Sequence, residues 1–335
     1  MFPAENDGWL HFYAVPATGG AARLLTPGSF EIEYASSSAD GAHIVYAANA
    51  GDIDRRHLWR LETSTGRLEQ LTQGLGIETQ PALLVDGTIA FLRADARTPA
   101  HAALLAQGSP ILDLTAEGLP QDFPAAALVE PHPVELPLRA GIAAHGVLFL
   151  PARESAAEPH PAVIFMHGGP IRQMLPGWHY MDYYSNAYAF NQYLASRGYV
   201  VLALNYRAGI GYGLDFREAN GIGAGGATEY NDLLAAADFL RARGCRSRAH
   251  RSLGRELWRV HDRSRPGAQL RPLQGGRRPA RRARLAPLDA RDQSRQPAAV
   301  PARCAVLGTR DCACSLADQR GRELALARPP RARGR

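Results

Sequence analysis

The chain has 335 residues and a formal net charge of +6, and that charge is held unevenly. Residues 1–244 contain 15 Arg, no Lys and 25 Asp plus Glu, a net −10, whereas residues 245–335 contain 23 Arg and 7 acidic residues, a net +16. All four cysteines (Cys245, Cys304, Cys312, Cys314) lie in the second part, which excludes a disulfide framework from the first. No apolar run approaches the ~18 residues of a membrane span, and no basic-then-apolar signal opens the chain. The expectation is a soluble cytoplasmic protein.

Residues 1–135 repeat. HFYAVPATGGAARLLTPG (11–28) aligns with HLWRLETSTGRLEQLTQG (57–74), and His11/His57, Leu25-Thr26/Leu71-Thr72 and Asp40-Gly41/Asp86-Gly87 are all 46 residues apart. Each Asp-Gly precedes a strand-like run, AHIVYAA or TIAFLRA, which is a hairpin signal. Short strands recurring at this period read as β-propeller blades, with a small all-β sandwich as the alternative. Closure needs about 4–8 blades. This segment holds two to three, so Met1 is expected to lie inside a longer propeller.

Residues 136–244 read differently. IAAHGVLFLP is a strand, and HPAVIFMHGGPIRQM (160–174) is a buried strand ending in His167-Gly168-Gly169-Pro170. AFNQYLASRGYVVLALNYRAGIGYG (189–213) gives a helix stopped at Gly198, a strand and a Gly-rich loop. EYNDLLAAADFLRARG (229–244) is a helix with Tyr230, Leu233, Leu234, Ala237 and Leu240 on one face and Gly244 as its C-cap. Such alternation predicts a doubly wound α/β sheet. An HGG loop after a buried strand suits an oxyanion hole, because glycine lets backbone N–H groups approach a reacting carbonyl. A simple tight turn is the alternative.

HGGP, then LASRGYVVLALNYRAGIGYGLDFREA, then a Tyr-Asn-Asp-Leu helix, resembles the prolyl oligopeptidase family of serine peptidases. The acylaminoacyl-peptidase and dipeptidyl-peptidase branch is the most similar. The resemblance covers residues 1–244 and implies a partial β-propeller (1–135) joined to the N-terminal half of an α/β-hydrolase domain (136–244). It also implies short peptide substrates, no cofactor and no metal. Gly168 and Gly169, within His167–Pro170, would form the oxyanion loop. Asn205, Tyr206 and Arg207 would border the active site, with Ala208 in place of the usual glycine. Asp215 and Glu218 read as solvated surface charges.

After Gly244 the family pattern calls for a strand and then G-x-S-x-G, which appears nowhere in the chain. The tail from 245 to 335 is expected to be an out-of-frame, irregular, Arg-rich segment. It lacks Ile, Met, Phe, Tyr, Lys and Asn, all of which have A/T-rich codons. If its DNA is read one base later, Trp258 followed by Arg259 must give glycine, Glu256 followed by Leu257 allows serine, and Leu257 followed by Trp258 allows tyrosine. Gly254–Arg259 then permit Gly-Gly-Ser-Tyr-Gly-Gly, a nucleophile elbow with its serine codon across Glu256 and Leu257. Cys245–Leu253 permit Val-Asp-Pro-Glu-Arg-Ile-Gly-Leu-Trp, the strand before it. No catalytic nucleophile is therefore expected in frame, and the chain as written is expected to be inactive. His261 receives no role, and Cys312-Ala313-Cys314 is read as coincidence rather than a metal site. Two alternatives belong to other classes: a non-catalytic propeller binding module, and a basic nucleic-acid-binding protein. Specific nucleic-acid binding and membrane association are not expected, and the oligomeric state is left open.

Overall fold

The computed structural model describes residues 1–115, 118–138, 142–152, 160–222 and 227–245, and the backbone of a strand at 251–253. All of them fall within one compact unit, Met1–Pro279. The readings made on Glu256, Leu257, His261, Cys304, Cys312 and Cys314 lie outside the described residues.

The N-terminal part is a run of antiparallel blades. Strands β1 (Phe2–Ala4), β2 (His11–Ala14) and β3 (Arg23–Leu24) form the first sheet. β4 (Ile32–Ser37), β5 (His43–Ala48), β6 (His57–Glu62) and β7 (Leu68–Gln70) form the second. The third contains β8 (Ile77–Leu83), β9 (Ile89–Ala94), β10 (His101–Leu105) and β11 (Leu112–Asp113). This is the propeller arrangement of two to three blades that the repeat predicts.

The repeat has a physical basis. In each blade a Leu-Thr pair clips the chain back onto the strand that begins with histidine. The Thr26 hydroxyl accepts the Phe12 N–H at 2.9 Å, Thr72 accepts that of Leu58 at 2.8 Å, and Thr115 accepts that of Ala102 at 3.2 Å. The Leu25, Leu71 and Leu114 N–H groups return to the carbonyls of the same three residues at 2.9, 2.8 and 2.9 Å. The third copy, His101-Ala102 with Leu114-Thr115, is absent from the 46-residue register because the loops around it are shorter. The Asp40-Gly41 and Asp86-Gly87 turns are equivalent as well. Each aspartate accepts the N–H two residues on at 2.9 Å, and each glycine has positive φ.

The second part is one five-stranded sheet in the order β12 (His132–Leu136), β13 (Ala144–Phe149), β15 (Val200–Asn205), β14 (Ala162–Met166), β16 (Arg251–Leu253). β13 runs antiparallel to β15, while β15, β14 and β16 are parallel. β12 crosses the 135/136 boundary expected between the two parts, so the chain enters this sheet by His132. Helix α1 (Asp182–Ser196) follows β14, and short α2 (Leu214–Arg217) and long α3 (Ala227–Ala242) follow β15. α1 begins seven residues before the expected start at 189. Its first half carries Tyr184 and Tyr188 four residues apart and buried, an aromatic face that extends the helix upstream.

Side chains alternate along β15, as a strand requires. Val200, Leu202 and Leu204 join Leu136, Ile164, Leu233, Ala236, Ala237 and Leu240 on the α3 side of the sheet. Val201 and Ala203 join Phe149, Phe165, Trp178, Tyr184 and Tyr188 on the α1 side. On α3 the buried face differs from the expected one: Tyr230 is exposed and Leu234 half-buried, whereas Ala236 and Asp232 are buried. The helix is turned because Asp232 points inward to an arginine.

One short stretch of the tail departs from the expectation. Arg251–Leu253 is not irregular but pairs with β14, with Val163 opposite Arg251, Ile164 opposite Ser252 and Phe165 opposite Leu253. The unpaired edges that an irregular tail would leave at Val163–Phe165 and Val200–Leu204 are absent among the described strands: β15 lies between β13 and β14, and β14 lies between β15 and β16. Cys245, assigned to the tail by sequence, is buried in the α3 cluster just after Gly244, whose φ of +79° suits a helix C-cap.

Candidate active site

β14 delivers His167–Pro170 at its C-terminal end, beyond the last residue of the strand ladder. His167 is buried, Gly168 half-buried, and Gly169 and Pro170 exposed, with Gly169 at φ +58°. Burial pulls the His167 imidazole down to about 3, so it is neutral near pH 7. Its ring stacks on Tyr206 at 4.4 Å and 16°.

Two tyrosines hold this loop by its carbonyls. The Tyr206 hydroxyl donates to the His167 carbonyl at 2.8 Å, and the Tyr184 hydroxyl donates to the Gly168 carbonyl at 2.6 Å. Among the described residues, neither the Gly168 nor the Gly169 N–H enters an internal hydrogen bond.

The sequence-predicted border residues lie next to the loop, at the end of β15. Asn205 is fully buried; its amide donates to the Met174 carbonyl at 2.9 Å and its oxygen accepts the Met174 N–H at 2.7 Å. It therefore fastens the segment after HGGP and does not face solvent. Tyr206 reaches back to the loop. Arg207 forms a bidentate pair with Asp232 on α3, with Nε and Nη2 at 3.0 and 2.5 Å from Oδ1. Ala208 stands at φ +83°, a backbone region that favours glycine. Asp215 and Glu218 are exposed.

The propeller grips the next turn of chain. The Glu31 carboxylate accepts the N–H groups of Gly211 and Gly213 at 3.0 and 3.1 Å, and Asn49 donates to the Gly211 carbonyl at 2.7 Å. Burial pushes the Glu31 carboxyl up. Arg56 spans the seam, bonding Glu33 at 2.6 Å and the Gln173 side chain at 2.7 Å. The Tyr212 hydroxyl donates to Asp54 at 2.8 Å.

Sequence reasoning missed Tyr184, Asp232, Gln173 and Glu31. Only Asp232 left a signal, inside the Tyr-Asn-Asp-Leu run. The others act through long-range contacts that no local pattern encodes.

The strand order places β16 directly beside β14. A nucleophile must sit within reach of oxyanion donors, so the strand next to the HGG strand is where its elbow would rise. Position 256 follows that strand by three residues.

Residues 186–251 match the prolyl oligopeptidase family, and residues 1–86 match the dipeptidyl peptidase IV N-terminal region. The chain is 34% identical over 123 residues to dipeptidyl aminopeptidase BIII of Pseudoxanthomonas mexicana, which is 35% of this chain and 16% of that protein. It is 33% identical over 97 residues to acylamino-acid-releasing enzyme 1 of Oryza sativa subsp. japonica, 29% of this chain and 11% of that one. A puromycin-hydrolyzing peptidase of Mycobacterium tuberculosis superposes with a TM-score of 0.62 at 22% identity, over 75% of this chain and 39% of its own. Dipeptidyl peptidase 4 of Porphyromonas gingivalis superposes with 0.61 at 18% identity, over 75% and 35%. The chain thus spans well under half the length of these relatives, and at such identities the two structures bear on the fold alone.

Proposed function

The chain belongs to the prolyl oligopeptidase family, and on that premise we propose that its hydrolase part is the front half of a serine-peptidase site for short peptides. One observation carries the reading: the strand that leads into the HGG loop pairs side by side with the strand at 251–253, and the codons just after that strand accommodate a Gly-x-Ser-x-Gly elbow in the shifted frame.

In the restored frame, the serine across Glu256 and Leu257 would attack the peptide carbonyl. A histidine oriented by an aspartate, both downstream in that frame, would take its proton. The N–H groups of Gly168 and Gly169 would stabilise the oxyanion, and the acyl-enzyme would then be hydrolysed. The propeller would restrict access to short peptides in the cytoplasm. As written, the chain has no nucleophile and is inactive. The family match also stops at 251, close to the proposed break after Gly244. Neither the binding-module nor the nucleic-acid alternative draws support from these relatives.

The bases themselves test the proposal. Positions 256 and 257 should read GAG then CTA or TTA; any other pair refutes the serine-tyrosine elbow. Removing one base near Gly244–Cys245 should give a chain that a serine-directed fluorophosphonate labels. Labelling of the chain as written would refute its inactivity.

A further inference from the structure

We propose that Tyr206 and Tyr184 are positioning residues that aim the oxyanion donors of the HGG loop by holding its carbonyls from behind. The inference rests on the serine-peptidase reading of that loop.

In a trans peptide the C=O and the N–H on the far side of the bond point in opposite directions. Fixing the His167 carbonyl therefore fixes the Gly168 N–H, and fixing the Gly168 carbonyl fixes the Gly169 N–H. Tyr206 takes the first carbonyl at 2.8 Å and Tyr184 the second at 2.6 Å. Both tyrosines are buried, and they come from different elements, the end of β15 and the first turn of α1. Among the described residues no ladder bond constrains these peptides beyond Met166, and glycine offers little torsional resistance. The two hydroxyls replace the missing constraint. The stacked His167 ring fixes Tyr206 sideways, and burial pushes the Tyr206 hydroxyl up to about 12, so it stays protonated and able to donate. Oxyanion catalysis depends on donors already aimed at the developing charge, so loosening their peptide planes weakens the transition state more than the bound substrate.

The test uses Tyr206→Phe and Tyr184→Phe, which remove only the hydroxyl, with Tyr193→Phe on the exposed face of α1 as control. In the frame-restored peptidase each of the first two should lower kcat by about tenfold to a hundredfold, with KM within about twofold. Affinity for a peptide boronate should fall in step, and affinity for a peptide product should not. A purely structural role would not produce that split. Unchanged kcat, or a rise in KM alone, would overturn the proposal. If the restored parent itself shows no turnover, the frame reading fails, and the proposal is decided separately. Crystal structures of the full chain as written, with and without Tyr206→Phe, report the His167–Gly168 peptide plane. A plane that keeps its orientation without the hydroxyl overturns the proposal, and a rotated or split plane supports it.

Discussion

Replacing Asp232 with alanine should be the most damaging single change among the polar contacts of the hydrolase part. Asp232 is fully buried and takes four contacts: Arg207 Nε at 3.0 and 3.1 Å, Nη2 at 2.5 Å, and the Arg207 backbone N–H at 2.8 Å. Removing one partner of a buried ion pair costs about 3–5 kcal/mol, because the other charge remains without compensation. The Arg207 side chain keeps 12% exposure and a weak bond to the Thr228 carbonyl, so partial rehydration brings the expected loss to about 3 kcal/mol. Asp232→Asn keeps an acceptor for the backbone N–H and should cost about 1–2 kcal/mol. Replacing both partners, as in Asp232→Leu with Arg207→Met, should cost less than Asp232→Ala alone, since no charge is then stranded. The assay is urea unfolding followed by tryptophan fluorescence, in whichever form of the chain unfolds reversibly, with midpoint and slope fitted separately. A loss under about 1 kcal/mol for Asp232→Ala, or a double variant as costly as the two single changes combined, would refute the reasoning.

Thr72→Val should cost about 1–3 kcal/mol, since it strands the buried Leu58 N–H and breaks a 3.0 Å bond to Glu78. The equivalent Thr115→Val frees an exposed N–H that water can satisfy, so urea unfolding should show a change within about 0.5 kcal/mol. Ala208→Gly should be neutral or stabilising by up to about 1 kcal/mol because φ there is +83°, whereas Ala235→Gly inside α3 should cost about 1 kcal/mol. Thermal or urea scans of the pair check the opposite signs. Burial lowers His167 to about 3 and His179 to about 4, so the unfolded chain binds more protons than the folded one between these values and 6.5. Stability is therefore full above pH 6.5 and falls as the medium is acidified, each histidine contributing a slope of about 1.4 kcal/mol per pH unit. A His167→Gln, His179→Gln variant with an unchanged pH profile would contradict this.

The propeller was legible because its blades reuse one local device. The His-strand and the Leu-Thr clip are fixed by residues 14 apart in the first two blades, so repetition in space leaves repetition in sequence. The third copy escaped because a register of 46 tolerates no change in loop length. The parallel strands were legible as apolar runs buried on both faces. The start of α1 was not, since DYYSNAY shows no simple period until Tyr184 and Tyr188 are seen to share a buried face. Within the site, the HGG loop and Asn205-Tyr206-Arg207 carry local signatures. What holds them, Tyr184 from one helix, Asp232 from another and Glu31 from the propeller, is assembled across 16 to 182 residues of chain.

The same contacts explain why an altered tail need not undo the residues before it. Among the described residues, the buried apolar cluster under α3 draws every member from the stretch ending at Cys245. The opposite cluster closes with α1 and the propeller's Ile77 and Ala94. The loop from Gly209 to Gly213 is gripped by Glu31, Asn49 and Asp54, none of which belongs to the hydrolase part. The described hydrogen bonds that hold the oxyanion loop and the Gly209–Gly213 loop thus come from residues encoded before the proposed break. The proposed change of frame after Gly244 would remove the nucleophile's codon from the reading without removing any described partner of the oxyanion loop. Restoring one base should therefore supply the elbow to a loop whose supports are already in place, and the gain should appear in chemistry more than in the fold of residues 1–245.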